Sequence, residues 1–514
     1  MNFIHSTSKK TAALLSYLNQ GLSTLVAIFL TPILLKYLGV DEYGLYQMVY
    51  SVGHYIMILD LGIGTVMVRY ISEYRAKKDK TGEENFAALV GIFTLFIALL
   101  VFGAGEILNF NIEHIFQNLS SSDYAKSHQM FNLMVVQFVF TVIDHYFHGI
   151  IGAYERFVFL RTTGLFKIIV SFAANIVFVM LGFGAVGIVL SNTIVIVLLT
   201  MINVWYVFSQ LRFKIRYHKW DFVIVKPAIG LMLAMLLQSV VGFVNSSADK
   251  TILGIMCEKA DVTVYSIAAS IITLFNTLPT VISGLFQPQV TRMVVHGASK
   301  SQLTDLVIRV GRWQFMMCGL LLFGLAFFGM DFLHLWVGHK LNHDQLLFTW
   351  IIMMVILPFN MVPLVQTVCI SILNAYDKRL YRSLILAGMC VINIVVSVIL
   401  VKLFGPIGCP IGTALSFLIG YAIVLNIYYA KGLQLEVGRM FKEIVSKTWV
   451  CLLLAALLSS PLLLWKHYTI PIFLLKIIIF SVMFVLLMWF FGFNEEEKNT
   501  CMPVLKKLHL FRKS

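Results

Sequence analysis

Charge is scarce in this chain. Only 12% of its 514 residues are Asp, Glu, Lys or Arg, about half of the roughly 25% usual in a soluble domain. No hydrophilic stretch is long enough to fold as a soluble domain of its own. Cysteine is also sparse. The seven stand at 257, 318, 369, 390, 409, 451 and 501. None lies before residue 257, none has CxxC spacing, and most fall inside apolar runs. That excludes a disulfide framework or a cysteine metal site and leaves small buried hydrophobes. There is no phosphate-cradling GxxxxGK[ST] and no HExxH, so no nucleotide site of that type and no zincin centre. No metal and no cofactor is expected.

Hydrophobic residues make up 59% of the sequence, and the mean hydropathy is +0.87. A bilayer core takes about 20 apolar residues per helix. Fourteen candidate spans follow: 12–37, 44–69, 86–109, 129–152, 161–181, 184–208, 223–247, 261–288, 308–337, 345–373, 382–404, 408–430, 444–465 and 468–491. Lys9 and Lys10 precede the first, which reads as an uncleaved helix because no small-residue cleavage site ends it. The chain is thus expected to be an all-α polytopic membrane protein. Most of its 39 Lys and Arg fall in alternate loops, among them Arg75, Lys77, Lys78 and Lys80, then Arg212, Lys214, Arg216 and Lys219. By the positive-inside rule those loops and both termini are cytoplasmic. The net charge of +14 is then mostly topology, and no nucleic-acid partner is implied. Loops on the other side are short, the longest about 110–128, which disfavours an enzyme with an external domain.

The sequence repeats. Gly152-Ala153-Tyr154-Glu155-Arg156 matches Asn374-Ala375-Tyr376-Asp377-Lys378 at an offset of 222 (376 − 154). Gly184-Ala185-Val186-Gly187 matches Gly405-Pro406-Ile407-Gly408 at 221 (405 − 184). Gln20 precedes Gln238, and Tyr46 precedes Tyr265, by nearly the same amount. Two six-helix lobes are expected, 1–221 and 222–443, with 444–514 adding two peripheral helices and a basic tail. An even number of spans per lobe makes the repeat parallel, a plan that places a substrate site between the halves.

Polar residues inside the spans share helix faces. Gln238, Gly242, Asn245 and Asp249 form one seam. Ser266, Ser270, Thr273, Thr277, Thr280, Gly284 and Gln287 form another, and Ser16, Asn19, Gln20 and Ser23 a third. Such seams either glue helices together or line a hydrated cavity. Asp60 either faces that cavity or caps a break at Leu61-Gly62-Ile63-Gly64. Gln137, Thr141, Asp144 and His148 line one face of the fourth span. Lys167 lies at the depth of Asp144, so an Asp144–Lys167 ion pair is expected, structural or, beside His148, a site for a coupling proton. Asp249 and Lys250 fall near the outer end of the seventh span, as an outer gate or anchor. Lys476 in the last span is expected to snorkel.

Leu38-Gly39-Val40-Asp41-Glu42-Tyr43-Gly44-Leu45-Tyr46, Leu59-Asp60-Leu61-Gly62 and Arg69 resemble the N-terminal signature of the bacterial polysaccharide flippases, the O-antigen and capsule repeat-unit transporters of the multidrug/oligosaccharidyl-lipid/polysaccharide superfamily. Ala248-Asp249-Lys250-Thr251-Ile252-Leu253-Gly254 with Val264-Tyr265 looks like its second-half counterpart. The resemblance implies a transporter, not an enzyme, in the bacterial inner membrane. It would flip an undecaprenyl-diphosphate-linked oligosaccharide from the cytoplasmic to the periplasmic leaflet by ion-coupled alternating access. Its partners would be that lipid-linked saccharide, membrane lipid and other polysaccharide assembly proteins. Sugar hydroxyls need many hydrogen-bond partners, which suits Asn19, Gln20, Asp60, Gln238, Asn245, Ser270, Thr273, Thr277 and Thr280. Diphosphate wants cations, and Arg69, Lys167 and Arg292 are the candidates. The alternatives are a cation extruder of the same superfamily, a membrane glycosyltransferase or polymerase, and a non-transporting scaffold.

Overall fold

The computed structural model describes residues 2–117, 119–220, 222–465 and 468–507, and no strand occurs among them. The helices run α1 (Asn2–His54), α2 (Ile63–Ala76), α3 (Lys80–Phe110), α4 (Ile112–Ile115), α5 (Ser121–Ala153), α6 (Phe157–Met180), α7 (Gly184–Trp205), α8 (Phe222–Met256) and α9 (Lys259–Val295). They continue as α10 (Lys300–Val337), α11 (His343–Val365), α12 (Thr367–Ala375), α13 (Arg379–Phe404), α14 (Gly408–Phe417), α15 (Leu425–Gly432), α16 (Val437–Ser459), α17 (Ile470–Leu487) and α18 (Glu495–Lys507). Among the described residues 11 runs are long and apolar enough to cross a membrane. Leu14–Ala76 contains both of the first two expected spans, and Leu380–Gly432 contains 382–404 and 408–430. The expected span 223–247 falls in α8, outside those runs. The chain is an all-α membrane protein.

The break expected after residue 37 falls at Gly39 (φ 79°, ψ 177°), where two helices meet within α1. A second interruption comes later. A 3-10 segment, Tyr55–Asp60, is followed by two left-handed residues, Leu61 (φ 54°) and Gly62 (φ 67°). Apolar content alone does not reveal this, because Tyr55–Asp60 is as hydrophobic as a spanning helix.

Two compact units can be described separately. One runs to Ile267 and adds Ile394–Cys409; the other holds Ala268–Asn393 and the chain from Pro410. In the first, α5 packs on α2, α3 and α7, and α1 on α6, around Leu35, Val66, Met67, Phe86, Phe131 and Val142, all fully buried. In the second, α10 packs on α11, α16 and α17 around Leu303, Phe328, Cys369, Leu452 and Phe480. Outward-facing positions such as Leu95, Leu99, Phe110, Leu457 and Ile478 are exposed and apolar, the composition that lipid-facing helix surfaces require.

Local geometry recurs at the offset of the sequence repeat. Left-handed turns occur at Lys78 and Gly297, Glu155 and Asp377, Gly184 and Gly405, and Arg212 and Gln434, spaced 219 (297 − 78), 222 (377 − 155), 221 (405 − 184) and 222 (434 − 212). Arg75 sits 3.9 Å over the Tyr154 ring, and Lys300 sits 4.4 Å over the Tyr376 ring. Asn203 donates to Asp144 at 2.8 Å, and Gln366 donates to Asn426 at 2.7 Å. Each pair lies within one unit. A cation over an aromatic face at a helix end and a polar rivet between helices are thus built twice.

Lys476 does not snorkel. It is 1% exposed, pairs with Asp331 at 2.6 Å and donates to the Trp465 carbonyl at 2.6 Å. Asp331 of α10 supplies its counter-charge. An ion pair thereby ties α17 to the second unit.

The signature around Glu42 is a joint. Glu42 accepts from the Ala185 amide at 2.8 Å, at the start of α7, and pairs with Lys126 of α5 at 3.0 Å. Thr263 donates to the Val40 carbonyl at 2.6 Å. A Cβ placed on Gly44 would stand 2.1 Å from the Lys259 carbonyl oxygen. Backbone cannot yield as a side-chain tip can, and overpacking costs about 1–3 kcal/mol or more. Gly44→Ala is therefore expected to cut the amount of folded protein in the membrane several-fold. Detergent-extracted protein on size exclusion measures it, and wild-type yield and melting would contradict the close approach.

Candidate functional site

In the first unit the helix break sets Asp60 against α5. A Cβ on Gly149 would meet the Gly64 oxygen at 2.8 Å, and one on Gly64 would meet the His145 oxygen at 3.1 Å. The two glycines therefore let α2 and α5 touch just past the break. There Asp60 Oδ1 lies 2.9 Å from His145 Nδ1, with side-chain exposures of 18% and 41%. The expected break exists, but Asp60 bonds an imidazole and not the helix start, whose cap residue Gly62 receives no side-chain bond.

The expected Asp144–Lys167 ion pair does not form. Asp144 accepts from Asn203 Nδ2 at 2.8 Å, and among the described residues no salt bridge joins it to Lys167, which is exposed. Matching depth on two antiparallel helices did not bring the side chains together, because Asp144 turns toward α7. His148 and His145 stay within electrostatic range of Asp144, Lys167 and, for His148, Arg161. Asn19 donates to its own helix at Leu15 and to the Arg161 carbonyl at 2.8 Å, so it ties α1 to α6. Gln20 and Arg69 are exposed, and the Arg69 guanidinium lies 5.7 Å from the Tyr70 ring centroid.

Asp249 and Lys250 are neighbours in sequence but have separate partners. On a helix, successive side chains diverge. Lys250 donates to Gln47 Oε1 at 3.0 Å. Asp249, 6% exposed, accepts from the Tyr265 hydroxyl, and its backbone carbonyl faces Cys409 Sγ at 3.6 Å. Beside Lys250 an aromatic ladder climbs α1. Ring centroids of Tyr43 and Tyr46 are 6.4 Å apart, Tyr46 and Tyr50 5.8 Å, Tyr50 and His54 5.3 Å, and His54 and Phe243 4.6 Å. Sequence reasoning passed over this ladder and over Gln47, and it placed His145 beside the Asp144 face without giving it a role. The ladder's steps of three and four were legible.

In the second unit Asn360 donates to Asn276 at 2.5 Å. Gln314, fully buried, donates to the Pro279 carbonyl at 2.9 Å and to Thr367 at 2.6 Å, a polar tie from α10 to α9 and α12. Thr273 and Thr277 donate to the carbonyls of Ala269 and Thr273. Ser270 and Asn245 are half-buried. The side chains of Gln238 and Thr280 lie outside the described ones. Arg292 lines a cavity of about 720 Å³ with His296 and Arg309, two residues that the sequence reading missed.

Chemically, the first unit offers a carboxylate–imidazole pair and a half-buried lysine bonded to an amide. The second offers amides, hydroxyls and cations. These groups suit a polar, anionic cargo in an otherwise apolar body.

No curated protein matches this chain. Among solved structures, the lipid II flippase MurJ in an inward closed conformation is similar at a TM-score of 0.71 and 13% identity, over 93% of this chain and 97% of that one. An inward-facing multidrug resistance MATE family transporter of the MOP superfamily is similar at 0.62 and 13%, over 82% and 96%. A mutant form of the Vibrio cholerae MATE transporter VcmN is similar at 0.54 and 14%, over 84% and 98%. These likenesses give the fold, that of the MOP transporters. The sequence itself matches the family described as polysaccharide biosynthesis protein over residues 10–294. That is more than half of the chain, which therefore belongs to the polysaccharide biosynthesis protein family.

Proposed function

We propose that the protein moves an undecaprenyl-diphosphate-linked oligosaccharide from the cytoplasmic to the periplasmic leaflet of a bacterial inner membrane, by alternating access driven by an ion gradient. The observation that carries this reading is the family match. The likeness to a lipid II flippase supports a lipid-linked cargo. In the proposal the lobes are 1–221 and 222–443, with 444–514 added, and both termini are cytoplasmic. Asn19, Gln20, Asp60, Gln238, Asn245, Ser270, Thr273, Thr277 and Thr280 meet sugar. Arg69, Lys167 and Arg292 meet phosphate. The Asp60–His145 pair serves the coupling ion, with Asp144 and His148 as the competing site, and Asp249 and Lys250 serve an outer gate.

Cells that lose the protein should accumulate complete lipid-linked repeat units on the cytoplasmic leaflet. Single repeats at the surface would instead identify a polymerase. A change in drug sensitivity with normal glycans would identify an extruder, and either outcome overturns the reading.

A further inference from the structure

The second unit carries a cavity of about 720 Å³ where α9 gives way to α10, a size typical of small-ligand sites. Arg292 and His296 from the end of α9, Gln302, Asp305 and Arg309 from the start of α10, and Glu496 of α18 line it. Its charges do not cancel. Asp305 is already paired with Arg439 at 2.8 Å. A second cavity of about 350 Å³ shares Asp305, Arg309 and Glu496 with the first. The cations specific to it are satisfied: Arg312 pairs with Glu497 at 2.6 Å, and Arg439 with Glu443 at 2.8 Å. Among the described residues Arg292 and Arg309 have no ion-pair partner. Two guanidinium groups and an imidazole therefore face one unpaired carboxylate, that of Glu496.

Resting on the flippase reading, we infer that this cavity docks the diphosphate of the lipid-linked substrate before translocation. Planar guanidinium forks match phosphate oxygens two at a time, and Gln302 adds a neutral donor. The positive-inside pattern assigns this end of α9 and α10 to the cytoplasm, the side on which such a substrate would be loaded. Glu496 has a defined part. Its neighbour Glu497 is locked to Arg312, so α18 holds a competing negative charge at the site and keeps the headgroup from binding too tightly to move on.

Full-length protein in nanodiscs of phosphatidylcholine is titrated with inorganic pyrophosphate. Arg292→Ala and Arg309→Ala should each weaken binding about tenfold, the effect of one lost charge-assisted contact. Glu496→Gln should strengthen it about threefold by removing the opposing charge. Both arginines are exposed and have no ion-pair partner among the described residues, so the variants are expected to fold, and Arg309→Lys should recover part of the affinity. Undecaprenyl diphosphate should displace pyrophosphate. Wild-type affinity in the Arg292→Ala/Arg309→Ala double variant overturns the site. So does a response confined to phosphatidylglycerol added to the disc, which marks a lipid-headgroup site. Proteoliposomes of the same preparation separate the two readings. If wild type moves no lipid-linked oligosaccharide, the flippase reading fails. If wild type moves it and the double variant matches its rate at limiting substrate, the docking site alone fails.

Discussion

Arg312→Ala should destabilise the protein by about 3–5 kcal/mol, the usual result of stripping one partner from a buried ion pair. Arg312 and Glu497 are 6% and 4% exposed. The guanidinium donates to both Glu497 oxygens, at 2.6 and 3.0 Å, and to the carbonyls of Glu443 at 2.8 Å and Gly492 at 2.9 Å. Glu497 is also one half of a reciprocal cap at the start of α18. The Asn494 amide donates to it at 2.9 Å, and its own amide donates to Asn494 Oδ1 at 2.8 Å. Removing the arginine therefore leaves a buried carboxylate with only a backbone amide and unties α10, α16 and α18 together. The thermal midpoint in detergent should fall by about 10 °C, and protease should cut ahead of α18. Arg312→Met combined with Glu497→Met should recover most of the loss, because an apolar pair carries no unpaired charge. A midpoint unchanged in Arg312→Ala would mean that the pair is not buried in the working protein.

The sequence reading reached the fold because membrane helices announce themselves by length and apolarity. It reached the repeat because turns need particular residues: the left-handed positions at Glu155 and Asp377 lie inside the two matching motifs. It failed where partner choice depends on rotation about a helix axis. Asp144 and Lys167 share a depth but not a direction, and Asn203, fifty-nine residues downstream of Asp144, takes the place assigned to the lysine. Lys476 was read against lipid because its partner Asp331 lies 145 residues away in sequence. The signature around Glu42 and Gly44 was legible as a pattern, yet its physical content is a close-packed joint among α1, α5, α7 and α9. It identifies the family without marking where a ligand goes.

Asp60→Asn should abolish the response of translocation to an imposed proton gradient, and His145→Asn should do the same. Asp60 sits at the end of a 3-10 segment, just before two left-handed residues, with its carboxylate 2.9 Å from the His145 ring. A proton gained or lost there changes the bond that holds a broken helix against α5. Asp144 and Lys167 act on the His145 ring from α5 and α6, and Asp144, His145, Arg161 and Lys167 act on His148, so the pair stands in a field of nearby charges. For one coupled proton, a gradient of one pH unit is worth about 1.4 kcal/mol, or roughly tenfold in the distribution of substrate. Proteoliposomes of the wild type should show a shift of that order and those of either variant none. The double variant should be no worse than the singles if the two residues act as one unit. Asp144→Asn distinguishes the competing assignment. Asp144 accepts from the neutral Asn203 amide, so its neutral isostere should keep the gradient response. Loss of that response in Asp144→Asn, with Asp60→Asn still coupled, would move the coupling site to the neighbouring Asp144 and His148 on α5.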